Sequence, residues 1–100
     1  AGIDFGDTDD NDIGRIRYGN NGNYMRFFTN AAERLRITSG GNLGLGLTSP
    51  QRLFTQHEDS SGSNYHQFTN TTTGTTSGDG LLVGITNSEE AIVWNTRTQI

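Results

Sequence analysis

The chain of 100 residues has no cysteine, no lysine and a single proline. Without cysteine there is neither a disulfide nor a thiolate metal site to stabilise it. No apolar run approaches the ~18 residues that a membrane span requires, so no membrane insertion is expected. No helical periodicity persists beyond about two turns, which favours an all-β reading. Apolar side chains are also scarce. Only 30% of residues are hydrophobic, against roughly 45–50% with glycine included for ordinary soluble domains, and 14 glycines narrow that gap only in part. Ordering a chain of this size costs on the order of 100–200 kcal/mol of conformational entropy. A monomer with so few apolar groups is poorly equipped to offset that cost. Low hydrophobicity can mean disorder, yet the apolar residues here alternate with polar ones. An obligate oligomer that shares its core between chains fits both facts.

The net charge is −4, from eleven acids against seven bases, and every base is arginine. An acidic chain without a basic patch argues against nucleic-acid binding, which depends on phosphate neutralisation. Exclusive use of arginine points to forked pairing with carboxylates across strands, with a compositional habit of the source as the plain alternative.

Residues 33–50 carry the most information. Glu33 to Thr38 reads as a half-buried strand. Ser39-Gly40-Gly41-Asn42 is turn chemistry, since Gly and Asn tolerate positive φ. In the strand that follows, Leu43, Leu45 and Leu47 point one way while Gly44 and Gly46 leave the other face bare. Such a face lets another backbone approach closely, and the expectation is that it packs against copies of itself. Pro50 then ends pairing, because proline donates no hydrogen bond to a ladder. Further strands are expected at Ile3–Phe5, Ile13–Tyr18, Tyr24–Thr29, Gln51–Gln56, Leu81–Thr86 and Ala91–Trp94. The loop Gly19-Asn-Asn-Gly-Asn23 reads as a hairpin turn, with Asn-Gly supplying the positive φ. Residues 57–77 are rich in Ser, Thr, Asn and Gly and read as a polar linker or surface insertion. Gly2-Ile-Asp-Phe-Gly-Asp-Thr8 aligns with Gly80-Leu-Leu-Val-Gly-Ile-Thr86, and each copy is followed by an acidic turn and another strand, which suggests an internal repeat. The chain begins at Ala1 and stops inside a candidate strand, so it reads as a piece of something longer.

The candidate chemistry is sparse. Asp7, Asp9 and Asn11 have the first spacings of a calcium loop, but Asp12 occupies the position that needs glycine and Tyr18 the position that needs a bidentate glutamate. A solvated turn pairing with Arg15 or Arg17 is the better reading. His57, with Glu58 and Asp59 beside it, and His66 lie in a polar stretch with nothing to fix a site. Glu89 and Glu90 are adjacent and do not form a catalytic pair. Phe27 and Phe28 read as core, whereas Tyr65 and His66 are the candidates for glycan contact. No catalytic, cofactor or metal residue stands out, and the chain is not expected to be an enzyme.

Ile13-Gly-Arg-Ile-Arg-Tyr18, Met25-Arg-Phe-Phe-Thr-Asn30 and the run Glu33 to Pro50 together resemble the shaft repeat of tailed-phage tail fibres and tailspikes. In that family a Glu-Arg-Met-Arg-Ile strand precedes Gly-Asn-Val-Gly-Ile-Gly-Thr-Thr-Ser-Pro. The resemblance covers residues 2–54, about half the chain, and departs at Leu47, where the family has threonine. It implies an elongated, intertwined homotrimeric β-fibre of short strands and hairpins, like a triple β-helix or β-spiral. Leu35, Ile37, Leu43, Leu45 and Leu47 would then form the interchain core, with Gly44 and Gly46 permitting close packing. It also implies an extracellular virion location, other tail proteins as partners, and a structural role in host-cell attachment. Direct binding of a host cell-surface glycan, or membership of a polysaccharide-degrading tailspike, are the alternatives. The expected organisation is a shaft unit at 1–56, a polar linker at 57–78 and the start of a second shaft-like unit at 79–100.

Overall fold

The computed structural model describes residues 1–95 and is all-β, with no helix among the described residues. The chain divides into two compact units, residues 1–59 and residues 60–100; the end of the expected second shaft-like unit, 96–100, lies outside the described residues.

The first unit is one six-stranded sheet in sequential order. Its strands are β1 (Gly2–Phe5), β2 (Gly14–Gly19), β3 (Tyr24–Thr29), β4 (Ala32–Ile37), β5 (Leu43–Leu45) and β6 (Phe54–Gln56). All neighbours pair antiparallel except β5 and β6, which are parallel. The expected strands are present, and the turns show why. The β3–β4 hairpin turns through Asn30 and Ala31, both at positive φ, the arrangement that matches the twist of a two-residue hairpin. In the β2–β3 loop the positive φ falls on Asn23, not on the Asn21-Gly22 pair, and the Asn23 amide closes the loop on the Gly19 carbonyl at 2.7 Å. Gly41 takes positive φ in the β4–β5 turn, as its turn chemistry predicts.

The third leucine of the glycine-faced strand departs from expectation. β5 ends at Leu45, because Gly46 enters the left-handed region at φ +86° and redirects the chain. Residues 46–53 then fold back over the glycine face. A Cβ built on Gly44 would lie 2.7 Å from the Leu47 carbonyl oxygen and 3.2 Å from Pro50, and one on Gly46 would lie within 2.3 Å of the His57 carbonyl. The backbone that makes the close approach at these glycines is therefore the chain's own. Pro50 is buried there, and its carbonyl accepts a hydrogen bond from the Asn42 side chain at 3.2 Å.

The second unit is a three-stranded antiparallel sheet of β7 (Asn64–Phe68), β8 (Leu81–Ile85) and β9 (Ala91–Asn95). β7 falls inside the stretch read as a polar linker. One of its polar residues, Gln67, serves the loop between β7 and β8. Gln67 reaches across that loop and donates to the carbonyls of Thr76 at 2.7 Å and Asp79 at 2.9 Å. Within the loop, the Asn70 side chain accepts from the amides of Thr72 and Thr73, and the Asp79 carboxylate accepts from the amide and hydroxyl of Thr76. The repeat suggested by Gly2–Thr8 and Gly80–Thr86 has the same local form in both copies, a strand (β1, β8), a turn and an antiparallel partner (β2, β9).

Among the described residues only Leu82, at 7% exposure, is a buried hydrophobic side chain. The sheets are formed, but almost nothing is enclosed.

Candidate functional site

Register decides which side chains share a face, because cross-strand partners lie on the same side. In the first sheet one row runs Ile3, Ile16, Phe27, Leu35, Leu45 and Gln56, and the next runs Tyr18, Met25, Ile37, Leu43 and Phe54. Phe5 extends the same face opposite Gly14. This face is apolar but for Gln56, and its own unit leaves much of it exposed: Ile3 is 58% exposed, Phe5 52% and Phe54 61%, with Tyr18, Met25, Ile37 and Leu45 exposed as well. Four of the five leucine and isoleucine residues singled out by sequence, Leu35, Ile37, Leu43 and Leu45, are brought together on it. Leu47 is not. Its side chain reaches to 3.3 Å from the Cβ position of Gly44, which points to the opposite face.

That opposite face carries Arg15, Arg17, Arg26 and Arg36 with Tyr24, Phe28, Asp4 and Glu33. Arg17, Arg26 and Arg36 stand directly opposite one another on three adjacent strands. Three like charges in a row destabilise a sheet unless they are compensated. Two devices compensate them. The guanidinium groups alternate with rings, in the order Arg36, Tyr24, Arg26, Phe28, Arg15, with the cation 4.5 to 5.5 Å from each ring centre. Such contacts contribute ~0.5–1 kcal/mol each at exposed sites. Carboxylates fill the remaining directions. Glu33 takes Arg36 bidentately at 2.8 and 2.7 Å and lies 3.7 Å from Arg26, while Arg17 pairs with Asp4 at 2.8 Å and Arg15 with Asp12. Glu33 raises the pKa of Arg36 further, through its hydrogen bond. The planar fork that lysine lacks suits four of the seven arginines, Arg15, Arg17, Arg26 and Arg36, to this carboxylate pairing.

Glu33 reaches this face through a β-bulge. The β3–β4 register shifts between Phe27 and Phe28, so Phe28 opposes Glu33 and Arg34 is left over. Without the bulge, strict alternation would put Glu33 on the leucine face. Arg34 turns aside to donate to the Thr29 hydroxyl at 3.0 Å.

The second sheet is apolar in part on both faces. On one, His66, Val83 and Val93 form a row, flanked by Phe68, Leu81 and Asn95 on one side and by Asn64, Ile85 and Ala91 on the other. Phe68, Val83, Ile85 and Val93 are exposed. The other face holds Tyr65, Gln67, Leu82, Gly84, Ile92 and Trp94. Tyr65 and His66, the candidate glycan contacts, point to opposite faces of β7, so they do not present one surface. His66 instead stacks on Phe68 with ring centres 4.4 Å apart.

The remaining candidates are engaged locally. The Asp7 carboxylate accepts the amides of Asp9 and Asp10 at 2.9 and 2.8 Å, which holds its pKa below the ordinary carboxylate range, with the Asp10 amide as the larger cause. Asp12 pairs with Arg15. His57 lies 3.9 Å from Asp59. Glu89 occupies a positive-φ position in the β8–β9 turn. No group of three or more metal-ligating side chains occurs among the described residues. Comparison with family models, with curated proteins and with solved structures gives no match.

Proposed function

We propose that the chain is a structural segment of a bacteriophage tail-fibre shaft, in which three copies enclose a core that none of them encloses alone. The observation that carries this reading is the apolar face of the first sheet, which spans six strands and which its own unit leaves largely exposed. Two features favour further copies of this chain as the cover. No charged residue holds a paired position on that face, although 18% of the chain is charged. A chain of net charge −4 can therefore meet its own copy there without opposing like charges. The second sheet also leaves large apolar residues exposed, Phe68, Val83, Ile85, Val93 and Trp94, so the requirement recurs along the chain. The stoichiometry of three and the place in a virion adsorption device rest on the resemblance of residues 2–54 to fibre shafts. In this reading Leu35, Ile37, Leu43 and Leu45 line the shared core. Gly44, Gly46 and Leu47 support it from behind by letting residues 46–53 lie flat on the opposite face. The role is architectural: the segment carries a receptor-binding element and joins other tail proteins. Sedimentation equilibrium across a concentration series tests it. The expected species is three chains of 10.9 kDa each. A folded, β-rich monomer at micromolar concentration would refute the reading.

A further inference from the structure

We propose that Asn21 is a site of spontaneous covalent modification, at which the folded chain converts a side-chain amide into a carboxylate and, in part of the molecules, reroutes its backbone through that side chain. The inference does not depend on the proposed assembly. An Asn or Asp followed by glycine is the pair in which the next backbone nitrogen reaches the side-chain carbonyl carbon with least hindrance, because no Cβ stands in the way. The chain has two such pairs, Asn21-Gly22 and Asp79-Gly80. The structure separates them.

Asn21-Gly22 is unrestrained. Residues 20–23 are all exposed, at the tip of the β2–β3 loop. The bond that closes this loop runs from the Asn23 amide to the Gly19 carbonyl at 2.7 Å and does not involve the residues between them. No hydrogen bond to a described residue holds the Asn21 side chain or the Gly22 amide. Asp79-Gly80 is held at three points. The Asp79 carboxylate accepts from the amide and the hydroxyl of Thr76, both at 2.9 Å. Its carbonyl, in the same peptide unit as the Gly80 nitrogen, accepts from Gln67 at 2.9 Å. Gly80 itself is buried against the Phe68 carbonyl.

The step needs only hydroxide as base and water. The Gly22 nitrogen, having given up its proton, attacks Cγ of Asn21. An N–C bond forms, the Cγ–Nδ2 bond breaks, and the amide leaves as ammonia, which yields a five-membered imide. Water then opens the ring. Cleavage of the new N–Cγ bond leaves aspartate at position 21. Cleavage of the original peptide bond leaves isoaspartate, with the chain running through Cβ and Cγ. Nothing is oxidised or reduced: one water is consumed and one ammonia released. Either product takes the net charge from −4 to one unit more negative. Isoaspartate also lengthens the loop by one backbone carbon beside Tyr24. The Tyr24 ring lies 2.8 Å from where a Cβ on Gly22 would stand, and Arg26 and Arg36 stack on that ring. The modification therefore borders the arginine row.

Ageing the folded chain at mildly alkaline pH tests this. Trypsin cuts after Arg17 and Arg26 and releases Tyr18–Arg26 as one peptide. Fragmentation mass spectrometry locates the mass gain of amide-to-acid exchange, and enzymatic methylation of isoaspartyl carboxylates counts the rerouted fraction. The expected result is a gain at Asn21 that grows with time, accelerates in proportion to hydroxide, and contains isoaspartate in excess of aspartate. Asn21→Gln, at a side chain with no hydrogen bond to lose, should abolish it. Asp79 should yield isoaspartate only after urea unfolds the chain. A folded chain that keeps Asn21 intact while the unfolded chain loses it would overturn the proposal. So would a gain that appears first at Asn20, Asn23 or Asn87, one that ignores pH, or isoaspartate forming at Asp79 as fast as at Asn21 in the folded chain.

Discussion

Replacing Gly46 with alanine separates two roles that a glycine can have in a shared-core protein. Its φ of +86° is left-handed, a region that costs a residue with a Cβ about 1–2 kcal/mol. The new methyl would also fall within 2.3 Å of the His57 carbonyl oxygen, so that peptide must move by about 1 Å to reach ordinary contact. The same residue's amide donates to the Leu45 carbonyl at 2.8 Å, a bond that helps hold β6 against β5. Losing it adds about 1 kcal/mol. The sum is a destabilisation of about 2–3 kcal/mol, localised where β6 joins the sheet. Urea unfolding followed by circular dichroism, at one fixed chain concentration because association contributes to stability, should show that loss. Hydrogen exchange should show the His57 amide losing protection before the amides of β2 and β3. A loss under 1 kcal/mol would refute the argument. So would dissociation into monomers whose His57 amide stays protected, since that would place the close approach at Gly46 between chains.

Four further outcomes are expected. Glu33→Gln should cost about 1.5–3 kcal/mol in the same unfolding assay, because the amide keeps one acceptor oxygen for Arg36 but loses the second bond and the carboxylate charge, in a site where both side chains are less than one-fifth exposed; a loss below about 0.5 kcal/mol, the weak end for an ordinary hydrogen bond, would mean that ring stacking alone holds the arginine row. Ala31→Gly should stabilise by about 1 kcal/mol by relieving a left-handed alanine in the β3–β4 turn, read as a higher urea midpoint. Leu45→Asp places a charge on the uncovered face, where burial without a partner costs about 3–5 kcal/mol, so sedimentation should show dissociation. Asp7 is held below its ordinary value of 3.8, so its contribution to the turn is present above that value and lost as pH falls through the lower, folded one; a carboxyl titration midpoint at or above 3.8 in NMR would contradict the amide cradle.

The strands and their faces were legible in the sequence because alternation at period two survives wherever a strand has one apolar side. Alternation put Leu43 and Leu45 on one face, and the resemblance to fibre shafts joined Leu35 and Ile37 to them before any register was known. Leu47 could not be placed, since one left-handed glycine breaks the parity and Gly46 gives no sign of which conformation it takes. Glu33 was misleading for a related reason: the bulge opposite Phe28 shifts its parity, and bulges leave little trace in a single sequence. β7 was hidden because Gln67 serves a loop and His66 an apolar face, so its polar letters describe two different surroundings. The all-arginine composition did signal forked pairing, but the rings between the guanidinium groups follow from cross-strand register, which spacing along the chain does not reveal.

Every ladder in both sheets joins strands that are neighbours in sequence, including the parallel pair, whose connection spans only residues 46–53. Each pairing therefore closes a short loop, and contacts of this kind form quickly. A nascent chain can lay down β1 to β6 one after another as it leaves the ribosome, with no strand waiting for a distant partner. In the proposed assembly, secondary structure would precede association, and the slow, concentration-dependent event would be the meeting of finished sheets. Until that meeting, each newly made sheet would present a sticky surface, so yield during production should depend more on how fast copies find one another than on how fast any one of them folds.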